Sequence, residues 1–318
     1  MRTAPLRRLA ALTSIAVLAV TTTTSLASAT VASAAGTAAC ADGASAARVV
    51  KGSTAQEPPL YPKNEANKYG VIKDSPRMAD GSVNIDTVFH VITAVDPTVA
   101  AKAKLESMIA AQMEVLNDSF SGATADDAAD SPFRFALTKM TWTVNAAWSA
   151  VTPGKTERDM KTQLHQGDSE TLNVYVANIV ESGLLGWAYF PKGYNNGRDF
   201  IDGVVIDTGS MPGGTYQGQP WKYGEGDTLT HEVGHWMMLD HTFAGGCSAS
   251  GDGVADTPRE GMAQFNCPLN ADTCTAPGLD PIHNFMDYTQ DSCMNIFTPG
   301  QVERMNDSWL AFRAGGNG

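Results

Sequence analysis

Three histidines and a glutamate crowd into eleven residues of this 318-residue chain: His231-Glu232-Val233-Gly234-His235 and, six positions on, His241. Half of the six histidines therefore fall in one short segment. On a helix, a spacing of four means about 6 Å of rise and only ~40° of rotation, so His231 and His235 point the same way. Neutral imidazole is a good ligand for Zn²⁺, and two at this spacing can share one ion. Glu232 stands beside the first ligand, where it can take a proton from an attacking water and pass it to a leaving amine. The chemistry indicated is metal-assisted hydrolysis of a peptide bond.

A third ligand is needed. On a continuous helix His241 would lie about 15 Å from His231 and on another face. It can join the other two only if the helix stops after Trp236 or Met237 and the chain turns sharply through Met237 to Asp240. The helix has its beginning at Asp227 or Thr228, which can cap it after Gly224-Glu225-Gly226. Leu229, Val233 and Trp236 form a separate apolar stripe that can anchor it to a core. Two other readings compete. In one, a downstream carboxylate such as Glu260 replaces His241, as in gluzincins. In the other, the chain is an inactive, metal-stabilised secreted binding protein.

The elements that must position this segment are legible upstream. Val83–Ile92 alternates and is β-branched, which predicts a strand. Thr98–Leu116 carries Leu105, Ile109, Met113 and Leu116 at helical spacing. Further strands are expected at 133–144, 172–179, 185–190 and 203–207, and a helix at 157–166. A Gly/Pro/polar loop spans 210–226. Beyond His241 periodicity fades until Thr298-Pro299-Gly300-Gln301 opens a last helix running to about Arg313.

Composition bounds the rest. Hydrophobic residues make up 43% and charged ones 18%, a globular balance, and the net charge is −12. Such a chain repels phosphate backbones and anionic membranes, so no nucleic-acid or membrane partner is expected. Residues 1–34 read as an export signal: Arg2, Arg7 and Arg8, an apolar run from Leu9 to Val20, and Ala32-Ser33-Ala34 as a cleavage site. Residues 35–65, Ala/Gly/Ser-rich and then Pro-rich, read as a pro-segment or linker, and 66–318 as the catalytic domain. Export makes disulfides durable. Cys247, Cys267, Cys274 and Cys293 form an even set with three pairings open, and Cys40 stands apart.

The histidine segment resembles the long zinc motif of metzincin proteases, H-E-x-x-H-x-x-G-x-x-H. More narrowly, His231 to Trp236 with His241-Thr242-Phe243 and Gly245-Gly246-Cys247 resembles the pappalysin family. Asn284-Phe285-Met286-Asp287-Tyr288 resembles that family's methionine-bearing turn, and Cys293 to Gln301 its closing segment. The resemblance covers roughly Val83 to Arg313. It implies an α+β catalytic domain, with a mixed twisted sheet and long helices above a cleft. An irregular, disulfide-stapled lower subdomain from 242 to 318 would carry a C-terminal helix. It also implies His231, His235 and His241 as zinc ligands, Glu232 as general base and acid, Met286 as the floor beneath the metal, and Tyr288 as a donor to the developing oxyanion. Disulfides Cys247–Cys274 and Cys267–Cys293 follow by the same resemblance, as does calcium near Asp252, Asp256 and Thr257. Cys40 is a candidate latency ligand. The function implied is a secreted, monomeric zinc endopeptidase acting on extracellular proteins or peptides. One position departs from the pattern: the family's glycine seven residues after the first histidine is Met238 here.

Overall fold

The computed structural model describes residues 47–55, 58, 72–191 and 199–316. All of them belong to one unit, Ala38–Gly318. The expected export signal and Cys40 lie outside the described residues, as does most of the expected pro-segment.

A six-stranded mixed sheet forms the middle layer. Its strands are β1 (Ala47–Val49), β2 (Val83–Thr93), β3 (Phe133–Val144), β4 (Leu172–Ala177), β5 (Leu184–Trp187) and β6 (Val204–Asp207), in the order β1-β5-β6-β4-β2-β3. Strands β2, β3, β4 and β6 run parallel, while β5 is antiparallel to β6 and β1 antiparallel to β5. Parallel neighbours require crossovers, and helix α1 (Val99–Phe120) supplies the one from β2 to β3. Thr98 caps it, its side-chain oxygen accepting from the Ala101 amide at 3.2 Å.

Side-chain alternation in β2 sends Phe89 and Val91 to one face and His90 and Ile92 to the other. The first face packs on Ile109, Leu116 and Phe120 of α1, and on Leu229, Val233 and Trp236 of α3 (Asp227–Trp236), so the predicted anchoring stripe is buried. Met160 of α2 (Lys155–Leu164) packs on the second face with Tyr175 and Trp187. Of the helices above the cleft, α1 has 22 residues, whereas α3 has only 10.

Two local expectations change. Helix α3 begins after Gly226, whose φ of 110° only glycine adopts readily, and no side chain caps it. In addition, strand β1 forms in the segment read as aperiodic linker; three residues are too few to display a period. The predicted polar loop holds a two-residue hairpin, β7 (Thr215–Tyr216) and β8 (Gln219–Pro220).

The lower part is irregular and carries both expected disulfides, Cys247–Cys274 and Cys267–Cys293. It closes with α4 (Pro299–Ser308), opened by a Thr298/Gln301 capping box and continued by a wider turn over Trp309–Arg313. There the buried Arg313 guanidinium pairs with Asp202 at 3.0 Å and donates to the Trp236 carbonyl at the end of α3. Among the described residues, no helix is long and apolar enough to cross a membrane.

His90 gives the sheet a pH dependence. It is wholly buried, bonded to Thr141 and Asn173 and stacked on Tyr175, and burial lowers its pKa to about 4. Between pH 6.5 and 4 the unfolded chain holds a proton there that the fold refuses. Stability is therefore complete above pH 6.5 and falls by up to about 3 kcal/mol as pH drops to 4. Denaturant midpoints at pH 7 and 4.5 should show a smaller acid loss in His90→Gln than in the parent.

Candidate active site

Helix α3 ends where the third ligand requires. The amide of Met237 bonds back to the Val233 and Gly234 carbonyls, that of Met238 to His235, and that of Leu239 to Gly234. Met238 takes φ 77°, the left-handed conformation for which the family pattern has glycine. The cost is offset by complete burial of its side chain beside Phe190, Ile72 and Phe312, while Arg304 donates to its carbonyl at 2.9 Å. The turn brings His241 round.

All three rings converge. His235 Nε2 lies 3.1 Å from His231 Nε2 and 3.0 Å from His241 Nε2, and the third side of the triangle is 3.2 Å. His231 Nδ1 donates to the Phe285 carbonyl at 2.6 Å and His235 Nδ1 to the Leu239 carbonyl at 2.7 Å. A carbonyl can only accept, so these two rings carry their proton on Nδ1 and present lone pairs at Nε2. Burial lowers the pKa of His235 to about 4; it also lowers those of His231 and His241, which the neighbouring rings lower further. Neutral lone pairs facing one another at 3.1 Å repel unless a cation lies between them. The centre of such a triangle is about 1.8 Å from each nitrogen, close to the Zn–N distance of about 2.0 Å. The donor set fits zinc.

Met286 packs against the zinc helix at Gly234. A Cβ on Gly234 would overlap the Met286 sulfur, so this glycine is what lets the turn pack against the helix. Asn284 and Gln301 exchange amide hydrogen bonds at 2.8 and 2.9 Å, and Asn284 Oδ1 accepts from the Met286 amide. The ring of Tyr288 packs edge-on against His241 at 4.7 Å.

Strand β1 lies against these groups. The Arg48 amide donates to Glu232 Oε1 at 3.0 Å, and the Tyr288 hydroxyl donates to the Ala47 carbonyl at 2.6 Å. The two ends of one peptide bond thus meet the carboxylate and the phenol. The Arg48 side chain is fully buried, with its guanidinium 2.8 Å from Asp291 and donating to Thr228 Oγ1 and the Thr289 carbonyl. The ring of Tyr223 stands 5.2 Å away. Asp291 is held from behind by the Glu225 and Gly226 amides. Burial, with the Asp291 charge adding to it, pushes the pKa of Asp227 well above its usual value. On β5, Gly186 leaves room for Glu232, whose Cγ a Cβ there would crowd.

Other expected site residues separate. Glu260, the rival ligand, accepts from Thr242 Oγ1 at 2.6 Å and is not among the three imidazoles. Burial, with Asp287 adding to it, pushes its pKa up to about 10. The Asp256 carboxylate is taken up by the Thr298 hydroxyl and the Gly300 amide at the start of α4, both at 2.8 Å. Asp252 and Thr257 are buried, and Asp240 is partly buried. Sequence reasoning missed Arg48, Asp291 and Thr289. Thr228 could have been found, being three residues before His231 on the same helical face.

A zinc helix that halts on a kink so that a third imidazole joins the first two defines the metzincin endopeptidases. The chain is an extracellular, zinc-dependent endopeptidase of this class, and it belongs to the pappalysin family. Residues 154–309 match the peptidase family model described as pregnancy-associated plasma protein-A. An extracellular metalloprotease of Pyricularia oryzae is 40% identical over 235 residues, 74% of this chain and 77% of the relative. Extracellular metalloprotease 1 of Coccidioides posadasii is 39% identical over 276 residues, 86% and 94% of the two chains. Mature mirolysin of Tannerella forsythia, solved with a cleaved peptide, superposes with a TM-score of 0.61 at 29% identity, covering 75% of this chain and 98% of that one.

Replacing Met238 by glycine should relieve about 1 kcal/mol of backbone strain but lose a larger burial term, for a net destabilisation of about 2 kcal/mol. Thermal unfolding of Met238→Gly should show a lower Tm with zinc still bound. A higher Tm would mean that strain, not burial, dominates at the kink.

Proposed function

We propose that this protein hydrolyses peptide bonds on the amino side of arginine, with His231, His235 and His241 as the zinc ligands, Glu232 as general base and acid, and Tyr288 as the oxyanion donor. The reading rests on one observation: a peptide bond lies between Glu232 and Tyr288 with the following arginine buried against Asp291. When bound, zinc supplies a Lewis acid that polarises the carbonyl and acidifies the attacking water.

The remaining work belongs to the chain. Substrate adds to the edge of β5 as an antiparallel strand, as β1 does, which fixes its direction. Glu232 takes a proton from water and returns it to the leaving nitrogen, the position that the Arg48 amide occupies. Tyr288 donates to the carbonyl oxygen as charge grows on it. Asp291, Thr228 and the Thr289 carbonyl receive the guanidinium.

The finer readings of the chain complete the proposal. Residues 1–34 act as the export signal and 35–65 as a pro-segment, with the Cys40 thiolate as a ligand that keeps the zinc closed. Calcium is held near Asp252 and Thr257, with Asp240 added to the set and Asp256 left to α4. Asp240 and Asp252 each bury a carboxylate oxygen that no hydrogen bond satisfies, which a hard cation would correct.

Glu232→Ala should lower kcat/KM by about 10³-fold or more with zinc content unchanged. Asp291→Ala should lower kcat/KM on arginine peptides by about 10²–10³-fold, the cost of a buried guanidinium without its partner, while sparing peptides with an apolar residue there. Equal losses on both peptide sets would remove Asp291 from specificity.

A further inference from the structure

Past the scissile position, the edge of β5 leads to a second concave site. Strand β1 pairs along β5 as far as Val49–Leu184, and the Val50 amide then donates to the Gly183 carbonyl at 3.3 Å. A substrate strand running the same way leaves at the carboxyl ends of the parallel strands, close to Val180 and Glu181. There a cavity of about 590 Å³ opens over the ends of β2, β4 and β6, walled by the start of α1 and by the β7–β8 hairpin. Helix α1 packs on one face of the sheet and α2 on the other, so the chain leaves β2 and enters β4 by opposite faces. In open α/β sheets such a switch point leaves the crevice where ligands bind.

The chemistry of the walls narrows the occupant. Asp207 fixes the floor, its carboxylate accepting from the Ile179, Val180 and Gly209 amides at 2.7–2.8 Å. With both oxygens engaged, it holds two loops together rather than offering a cation site. Lys104 and Glu181 line the cavity with opposite signs and select no charge. A nucleotide fits poorly, because the turn Ala94-Val95-Asp96-Pro97-Thr98 into α1 has no glycine to admit a phosphate. Apolar surface is what remains to be covered. Leu105 and Met108 line the inside, and Val95 and Val99 next to it are 73% and 86% exposed. Tyr216, a further wall, begins a row of rings that returns to the arginine pocket. It stacks on Trp221 at 5.2 Å, Trp221 meets Tyr223 edge-on at 5.4 Å, and Tyr223 stands 5.2 Å from the Arg48 guanidinium. Tyr223 is buried, whereas Trp221 and Tyr216 are partly exposed, so the cavity is continuous with the cleft.

We infer that this crevice is an exosite for the substrate downstream of the cut, a role that rests on the reading that substrate follows the path of β1 along β5. It takes an apolar or aromatic side chain. The third residue past the cut lies at Gly183, and each further residue advances an extended chain about 3.3 Å, so the side chain that enters is about four to six residues past the cut. The contact is remote from the reacting atoms and is made equally in ground and transition states. It therefore lowers KM and leaves kcat unchanged.

The test gives the active protein quenched fluorescent peptides that are identical through the third residue past the cut. One ends there, three continue with Phe as the fourth, fifth or sixth residue, and one continues with only Gly and Ser. Burial of the ring should make KM about 10-fold lower for at least one Phe peptide than for the short one, at equal kcat, with no such gain from Gly and Ser. Tyr216→Ala, which removes a wall, and Ala101→Phe, which fills the cavity from α1, should each bring the long-to-short ratio to about 1. No gain from any Phe peptide, a gain kept in either variant, or an equal gain with Asp in place of Phe would overturn the exosite. Each of these leaves cleavage before arginine standing, because the short peptide reports it alone. Failure to cut the short peptide before its arginine would remove that underlying reading instead.

Discussion

Two imidazole lone pairs fixed toward each other, with a third ring nitrogen 3.0–3.2 Å from both, are tolerable only around a cation, and much of the structure is arranged to keep them there. The carbonyls of Phe285 and Leu239 set the tautomers of His231 and His235, so their second shell is backbone from both sides of the cleft. The helix must stop after Trp236, and the groups that stop it are remote in sequence. Arg304 holds the Met238 carbonyl, and Arg313 holds that of Trp236 while pairing with Asp202. Gly234 completes the arrangement by admitting the Met286 sulfur.

The chain is strongly acidic, and its interior surrounds its carboxylates in different ways. Asp227 and Glu260 are driven toward the neutral form by burial and by a neighbouring carboxylate. Asp291 instead faces a guanidinium and is braced by two backbone amides. Asp291 thus has a cation and two amides as partners, whereas Asp227 has the Asp291 charge against it. Among the described residues two arginines are wholly buried, and they do different things. Arg313 locks the end of the zinc helix, whereas Arg48 is held by Asp291, Thr228 and the Thr289 carbonyl beside the zinc centre.

The zinc segment was legible because its information is local. Spacings of four and ten residues, a helix geometry and a needed kink are enough to place His231, His235, His241 and Glu232 in one centre. The strands at 83–93 and 133–144 and the capping box at Thr298 were equally local, being written in period and in cap chemistry. The methionine turn and the disulfide pairing were legible only through resemblance, since nothing in the spacing of the cysteines chooses among three pairings. Met238 looked like a defect in the motif. Only the buried surroundings of its side chain explain why it is tolerated there.

Sequence by itself determined the metal-binding motif, the class of chemistry and most of the secondary structure, because each depends on neighbours within a few residues. Tertiary structure alone decided what surrounds the zinc centre in the cleft. Arg48 and Asp291 are separated by about three quarters of the chain, and no periodicity links them. Their pairing exists only because β1 adds to β5 while the loop after Tyr288 closes beneath it. A buried ion pair is a property of the space that the fold encloses, and that space has no signature in the order of the residues.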